Sequence, residues 1–272
     1  MQKRNLSIFL PDSFLSETSD LKLKTSKLGL IARFLAVYRV NRVIIYKDIS
    51  QENNASDADF MAEVLSFMNT PQYLRKEAFS IKSELKYVGI LPPLRAPHHP
   101  TSSDVSVGDY RQGFTVKRNN KGTFVDIGLD KLAFCKEQLT VKKVFSFRIE
   151  KLAKDVIVTP EEPDNVYWGY EVINSHKNLK NSLELVNPDC VIVTTRYANT
   201  VNTIFDDLTT LLENARDICI LFGGPYSSIS EDVSSDSWDL VEVNTIPNQG
   251  TVTVRTEEAV SSTLAIFNLF MD

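Results

Sequence analysis

A chain of 272 residues with 43% apolar side chains is long enough to build about two packed domains. No window approaches the ~18 uninterrupted apolar residues of a membrane span, and the charged start Met1-Gln-Lys-Arg-Asn5 lacks the apolar segment of a secretory signal, so a soluble, cytoplasmic protein is expected. The formal charge of −5 hides a segregation: residues 1–91 carry 13 basic and 10 acidic side chains, residues 92–158 carry 12 and 7, and residues 159–272 carry 5 and 18. That argues against an indiscriminate cationic surface, because a polyanion would be drawn to the first two segments and repelled by the third. Cys135, Cys190 and Cys219 each sit among apolar neighbours without metal-ligand spacing, which predicts buried free thiols, no disulfide and no metal site.

In chain order, Leu6 to Leu10 reads as a short apolar strand stopped at Pro11-Asp12-Ser13. Leu21 to Val40 places Leu28, Ile31, Leu35 and Tyr38 on one helical stripe. Arg42 to Lys47 is the next strand, and Asp57 to Met68 the next helix, with Phe60, Met61, Val64, Leu65 and Met68 apolar. Strand, helix, strand, helix implies a parallel sheet. Pro71 opens a further short helix, as proline does at a first turn. Leu91-Pro-Pro-Leu-Arg-Ala-Pro-His-His-Pro100 then excludes regular structure and marks a boundary. Beyond it, residues 112–118, 122–128 and 144–149 alternate as short half-buried strands separated by turn signals, the pattern of a small barrel. Thr159-Pro-Glu-Glu-Pro163 closes that module, after which strands and helices alternate again. The expectation is an α/β domain in two pieces, 1–91 and 159–272, interrupted by a β-barrel over 92–158.

Only ten glycines occur, roughly half the usual ~7%, and three of them fall in two late loops. A buried-type strand, Asp217 to Leu221, runs straight into Gly223-Gly224-Pro225, and another, Asp189 to Thr195, ends in the hydroxyls of Thr194 and Thr195 before Arg196. A third, around Val241 to Val243, leads into Asn244-Thr-Ile-Pro-Asn-Gln-Gly-Thr251 and then a helix opening with Thr256-Glu257-Glu258. In that loop Pro247 fixes its own φ, while Gly250 permits a backbone conformation or a close approach that a side chain would block. Three strands with polar or glycine-rich exits predict one pocket at their carboxyl ends. Neither Gly-x-Gly-x-x-Gly nor Gly-x-x-x-x-Gly-Lys-Ser/Thr occurs, which counts against a dinucleotide or P-loop enzyme.

Asn244 to Thr251, followed by Val254-Arg-Thr-Glu-Glu-Ala259 and preceded by Phe222-Gly-Gly-Pro225, resembles the SPOUT methyltransferases. Within them it is most similar to a branch of RNA methyltransferases with an inserted OB-type domain, related to a human SPOUT-domain centromere protein. Further matches are Leu6 to Pro11, Gly29 to Val37, Tyr73-Leu-Arg75, Pro97-His-His99 and Tyr167-Trp-Gly-Tyr170. The resemblance implies a trefoil-knotted α/β domain, an OB-like barrel, a homodimer, and methyl transfer from S-adenosylmethionine to structured rRNA or tRNA without a metal. It assigns the cofactor to Thr194 and Thr195, to Phe222, Gly223, Gly224 and Pro225, and to Asn244, Ile246, Pro247, Gln249, Gly250 and Thr251, with Val254 and Ala259 as apolar walls. Arg33 matches an arginine that reaches the cofactor of the partner subunit, where it would orient the acceptor. Glu257 could touch the substrate, or with Glu258 it could only cap the last helix. The alternative reading is a non-catalytic RNA-binding or assembly factor that keeps the fold as a scaffold.

Lys117, Arg118, Lys121, Lys142, Lys143 and Arg148, interleaved with Phe114, Phe124, Phe145 and Phe147, have the makings of a single-strand RNA platform, cations for phosphate and rings for bases. The same pattern also fits a barrel whose phenylalanines are core and whose lysines are a solvated rim. His98 and His99, in a proline-bounded turn, suit positioning or packing; Trp168 beside Gly169 suits close packing, and His176 the surface.

Overall fold

The computed structural model describes residues 4–51, 54–100, 104–226, 229 and 233–271. By its internal contacts the chain forms two compact units, one of Met1–Ser66, Lys86–Pro92 and Tyr170–Asp272, the other of Phe67–Leu85 and Pro93–Gly169.

The first unit is built on a six-stranded sheet. Its strands are β1 (Asn5–Pro11), β2 (Arg42–Tyr46), β8 (Glu171–Asn174), β9 (Cys190–Thr194), β10 (Asp217–Leu221) and β11 (Asp239–Val243), in the order β11-β9-β10-β1-β2-β8 and parallel throughout. The central strands are buried along nearly their whole length, which is why they read as unbroken apolar runs instead of alternating ones. Phe9, Ile44, Tyr46, Val191, Val193, Cys219 and Leu221 form one core with Leu179 and Leu183 of α4 (Leu179–Val186). Around the sheet run α1 (Leu21–Val37), α5 (Phe205–Asn214) and α6 (Thr256–Phe267), with α1 packed on α6. Asp20 caps α1 by accepting the Leu23 N–H at 2.8 Å. α4 starts at the cap Asn178, which accepts from the Asn181 N–H, and ends at Asn187 in the left-handed region at φ 49°. At the amino end of the sheet, Arg42 reaches Asp217 at 2.7 Å and Ser7 Oγ at 2.9 Å, bracing β2, β1 and β10 together.

The second unit is a closed barrel of β3 (Tyr110–Asn119), β4 (Gly122–Asp126), β5 (Ala133–Cys135), β6 (Val144–Leu152) and β7 (Val156–Pro160), in the order β3-β4-β5-β7-β6. All its pairings are antiparallel except β5 with β7. Val125, Ile127, Ala133, Cys135, Phe147, Ile149 and Val158 fill it. Gly113 is required inside, since a Cβ there would meet Val125, Ile127 and Phe147 at 2.6–2.9 Å. The end of α2 (Ala55–Asn69) and α3 (Gln72–Ala78) group with the barrel, although 1–91 was expected to belong wholly to the α/β piece. The physical reason is Tyr73, whose hydroxyl donates to Gln112 O at 2.7 Å and whose ring covers Gly128. The barrel side also extends past residue 158, because β7 continues through Pro160 and Trp168 donates to Ser146 Oγ at 2.9 Å.

Candidate functional site

β9, β10 and β11 are neighbours running the same way, so the loops leaving their carboxyl ends converge, as ligand crevices in parallel sheets do. Together with the first turn of α6 these loops enclose a cavity of about 400 Å³, the size of a small-molecule site. Thr194, Thr195, Arg196 and Tyr197 line it from the first loop and Phe222 to Tyr226 from the second. Asn244, Thr245, Ile246, Gln249, Thr253 and Val254 come from the third, and Thr256 and Ala259 from α6.

The loops are tied to one another and to the sheet. Thr194 Oγ1 donates to Leu221 O at 2.7 Å. Phe222 is fixed at both backbone atoms: its N–H donates to Phe9 O at 3.1 Å, and its carbonyl accepts from the buried Tyr46 hydroxyl at 2.9 Å. Thr256 Oγ1 donates to Gly223 O at 3.2 Å, and Thr245 and Thr263 share a buried hydroxyl contact of 2.8 Å. Asn244 Nδ2 donates to Arg196 O at 3.1 Å while its Oδ1 accepts the Ile246 N–H at 3.0 Å. Arg196 in turn donates to Val252 O at 2.7 Å and to the Tyr197 hydroxyl at 2.6 Å. Such cross-bracing presents backbone donors and acceptors in a fixed arrangement.

The lining is neutral and polar except for one charge: Arg196 is the sole ionised side chain among the described lining residues. Among the described residues no His, Cys, Asp and Glu cluster could hold a metal ion. Burial pushes the Cys190 and Cys219 thiols up to about 12, so both stay protonated under the sheet and neither is a nucleophile.

The residues expected around a cofactor all line this cavity except Pro247, Gly250 and Thr251, which are exposed. For Gly250 the conformational reason fails, since its φ is outside the left-handed region; no protein atom comes within 4 Å of the place a Cβ would take. The left-handed turn is made by Asn248, at φ 53°, a residue whose short amide tolerates that conformation. Arg33 is half-buried on α1 and does not line the cavity of its own chain. Glu257 does not line it either; its carboxylate lies 3.2 Å from Lys27 Nζ on α1, and both side chains are about nine-tenths buried. Glu258 closes the start of α6 by accepting the Arg255 N–H at 3.0 Å, the capping role left open for it. Sequence reasoning assigned no role in the pocket to Tyr197, Tyr226, Thr245 and Thr253, and passed over Arg196 although it follows Thr194 and Thr195 directly.

In the barrel unit, Lys117, Arg118, Lys121, Lys142, Lys143 and Arg148 are all exposed. Phe114 and Phe147 are core, 8% and 0% exposed, and drop out as stacking surfaces. Phe124 stays half-exposed with Lys117 Nζ 5.2 Å from its ring centre, and Phe145 is likewise half-buried. His98 is fully buried; burial, reinforced by the neighbouring His99, lowers its pKa to about 3. Both rings point Nε2 at Asn69 O, at 2.9 and 2.8 Å, which makes them packing and positioning groups.

Fold and site define an α/β protein with a small-molecule crevice at the carboxyl ends of parallel strands, joined in one chain to a five-stranded barrel. The chain belongs to the family described as "Putative RNA methyltransferase", whose model matches residues 5–267. A protein of Halobacterium salinarum is 30% identical over 97% of this chain and 98% of its own length. The 28S rRNA (uridine-N(3))-methyltransferase of Drosophila melanogaster is 30% identical over 96% of this chain, which spans 61% of that protein. The human protein of the same name is 28% identical over 96% of this chain and 77% of its own length. The protein is therefore an RNA methyltransferase.

Proposed function

We propose that the cavity binds S-adenosylmethionine, and that the protein methylates N3 of a uridine in ribosomal RNA. The relatives' names supply the acceptor, and the observation that carries the donor site is the convergence of three loops on one cavity whose described lining is uncharged apart from Arg196. The residues suit the donor. Gly223 and Gly224, without side chains, let a ligand approach the backbone at the lining, and Ile246, Val254 and Ala259 offer apolar contact. When bound, the donor supplies a methyl group that already carries its leaving group. The loops then have to hold it, exclude water and present it to the acceptor within about 3–3.5 Å.

In this reading the first unit is a SPOUT domain with a trefoil knot. The barrel is OB-like, as its strand order and single parallel pairing suggest, and its exposed cations hold RNA. Arg33 acts on the cavity of a second copy. The support is a stripe on its own helix: Leu23, Leu30 and Val37, at seven-residue intervals, are 60%, 50% and 54% exposed, an apolar seam suited to a homodimer. Glu257 has no part in the chemistry.

Calorimetric titration with S-adenosylmethionine tests the donor site. Gly223→Val, at the lining, abolishes binding in a folded protein, whereas Gly250→Ala, in open space, leaves affinity unchanged. Equal affinity in both variants and the parent would sink the assignment.

A further inference from the structure

Two of the residues lining the cavity are large aromatics that the fold leaves in solvent: Tyr197 is 76% exposed and Tyr226 71%. They leave the ends of two adjacent strands, β9 and β10, so both stand at the mouth of the cavity instead of in its wall. Between the strand end and Tyr197 lies Arg196, the one charge among the described lining residues, with its guanidinium 4.8 Å from the Tyr197 ring centre. Its contacts to Val252 O and the Tyr197 hydroxyl engage two of the five N–H groups a guanidinium carries, and hold it in one orientation.

We propose that Arg196, Tyr197 and Tyr226 form the subsite for the acceptor base. The rings take the faces of a uracil, and Arg196 donates to an imide oxygen beside N3. This rests on the reading of the protein as a uridine-N3 methyltransferase.

The chemistry requires such a group. N3 of uracil is an imide that keeps its proton at neutral pH, and its lone pair becomes available only when that proton leaves. Among the described lining residues there is no carboxylate and no imidazole to take it. A fixed cation within about 4–6 Å of the developing anion lowers the pKa of such a group by about 1–3 units, enough for water to receive the proton. The N3 lone pair then forms the bond to the methyl carbon, and the carbon–sulfur pair stays on sulfur, so an anion and a sulfonium become two neutral products. Arg196 thus acts as an electrostatic catalytic residue, and the tyrosines as base-gripping surfaces of the kind that hold unstacked nucleotides.

The test uses the full-length protein with ribosomal RNA transcripts made with either uridine or the more acidic 5-fluorouridine, reading N3 methylation by mass spectrometry after nuclease digestion. Arg196→Gln lowers the single-turnover rate at pH 7 by about 10²-fold, in keeping with a shift of 1–3 units. The deficit shrinks as pH rises to 9.5, and shrinks again on the 5-fluorouridine transcript, while Arg196→Lys keeps part of the rate. Affinity for S-adenosylmethionine stays within a few-fold. Tyr226→Ala weakens RNA use without altering the pH profile. A loss that is uniform across pH with no preferential rescue by 5-fluorouridine overturns the subsite, and so does a parallel loss of donor affinity, which would make Arg196 a donor ligand or a loop brace. If the parent protein binds the donor yet methylates N3 in neither transcript, the uridine reading itself fails and the uracil subsite falls with it.

Discussion

Glu257 offers the sharpest separation of structure from chemistry. It follows the proposed donor loop, where a carboxylate beside a reacting group would be unsurprising, yet it is paired with Lys27 at 3.2 Å, the two side chains being 11% and 10% exposed. Glu257→Gln keeps the volume and removes the charge, leaving Lys27 buried with a more distant partner, Glu17 at 3.5 Å, and with the Phe14 ring 4.7 Å away. Removing one partner of a fully buried pair costs about 3–5 kcal/mol; the residual contacts of Lys27 bring the expected loss below that range, to about 2–3 kcal/mol. That corresponds to a fall in unfolding midpoint of about 5–10 °C for a domain of this size. Adding Lys27→Met removes the orphaned charge, so the double variant recovers at least half of the loss. Methyl transfer by both variants, measured well below their transitions, stays within about threefold of the parent, whereas loss of a general base costs about 10²–10⁴-fold and is not restored by a change at residue 27. A Glu257→Gln protein with an unaltered unfolding midpoint and activity down by two orders of magnitude would refute this reasoning.

Three further outcomes are expected. Arg33→Ala reduces methyl transfer by ~10²-fold with donor affinity unchanged, and mixing it with the donor-dead Gly223→Val restores activity in heterodimers, which retain one site with both parts intact; no recovery in demonstrated heterodimers excludes action across the interface. Reversing Lys117, Arg118, Lys142 and Lys143 together flattens the salt dependence of RNA binding while calorimetry with the donor is unaffected; an unmoved salt slope removes the barrel from RNA binding. His98 stays neutral in the folded state down to about pH 3, whereas the unfolded chain protonates it near 6.5. Its contribution is therefore complete above pH 6.5 and drains as pH falls towards 3, by about 1.4 kcal/mol per pH unit for one proton. His98→Gln makes the acid limb of the stability profile shallower by that amount, which denaturant titrations at pH 4, 5 and 6 would read out; identical slopes would contradict it.

The parallel sheet was legible because its central strands are buried on both faces and must be apolar throughout, as Asp217 to Leu221 and Arg42 to Tyr46 are. The edge strand Glu171–Asn174 was not, since one exposed and three half-exposed residues carry no period. Ala133–Cys135 is too short for alternation to be seen, and Val156–Pro160 ends in a proline that reads as punctuation although a strand end tolerates it. Two of the pocket loops announced themselves through Gly, Pro and Asn, because backbone presented to a ligand needs unusual turns, and the third through the hydroxyls of Thr194 and Thr195. Which turn residue bears the strain did not show: Asn248 takes the left-handed position and Gly250 has room to spare. Neither did the division of labour between Glu257 and Glu258, adjacent on a helix and so about 100° apart, one facing Lys27 and the other the helix start. Arg196 lay in plain view after two threonines, but only the folded loops show that it brings the cavity its charge.

The position of β1 governs how the molecule comes into being. It lies in the middle of the sheet, with Ser7 beside Arg42 on one flank and Asn5 beside Asp217 on the other. During synthesis its first neighbour is available almost at once, while the second emerges only after more than two hundred residues have been made, the whole barrel among them. Until then one apolar, unpaired edge of the growing sheet stands open, a template for any other strand. Pairings that distant in sequence close slowly. Throughout that interval the nascent chain carries its future centre as a margin, and its demand for chaperones should be set by that interval more than by the stability of the finished fold.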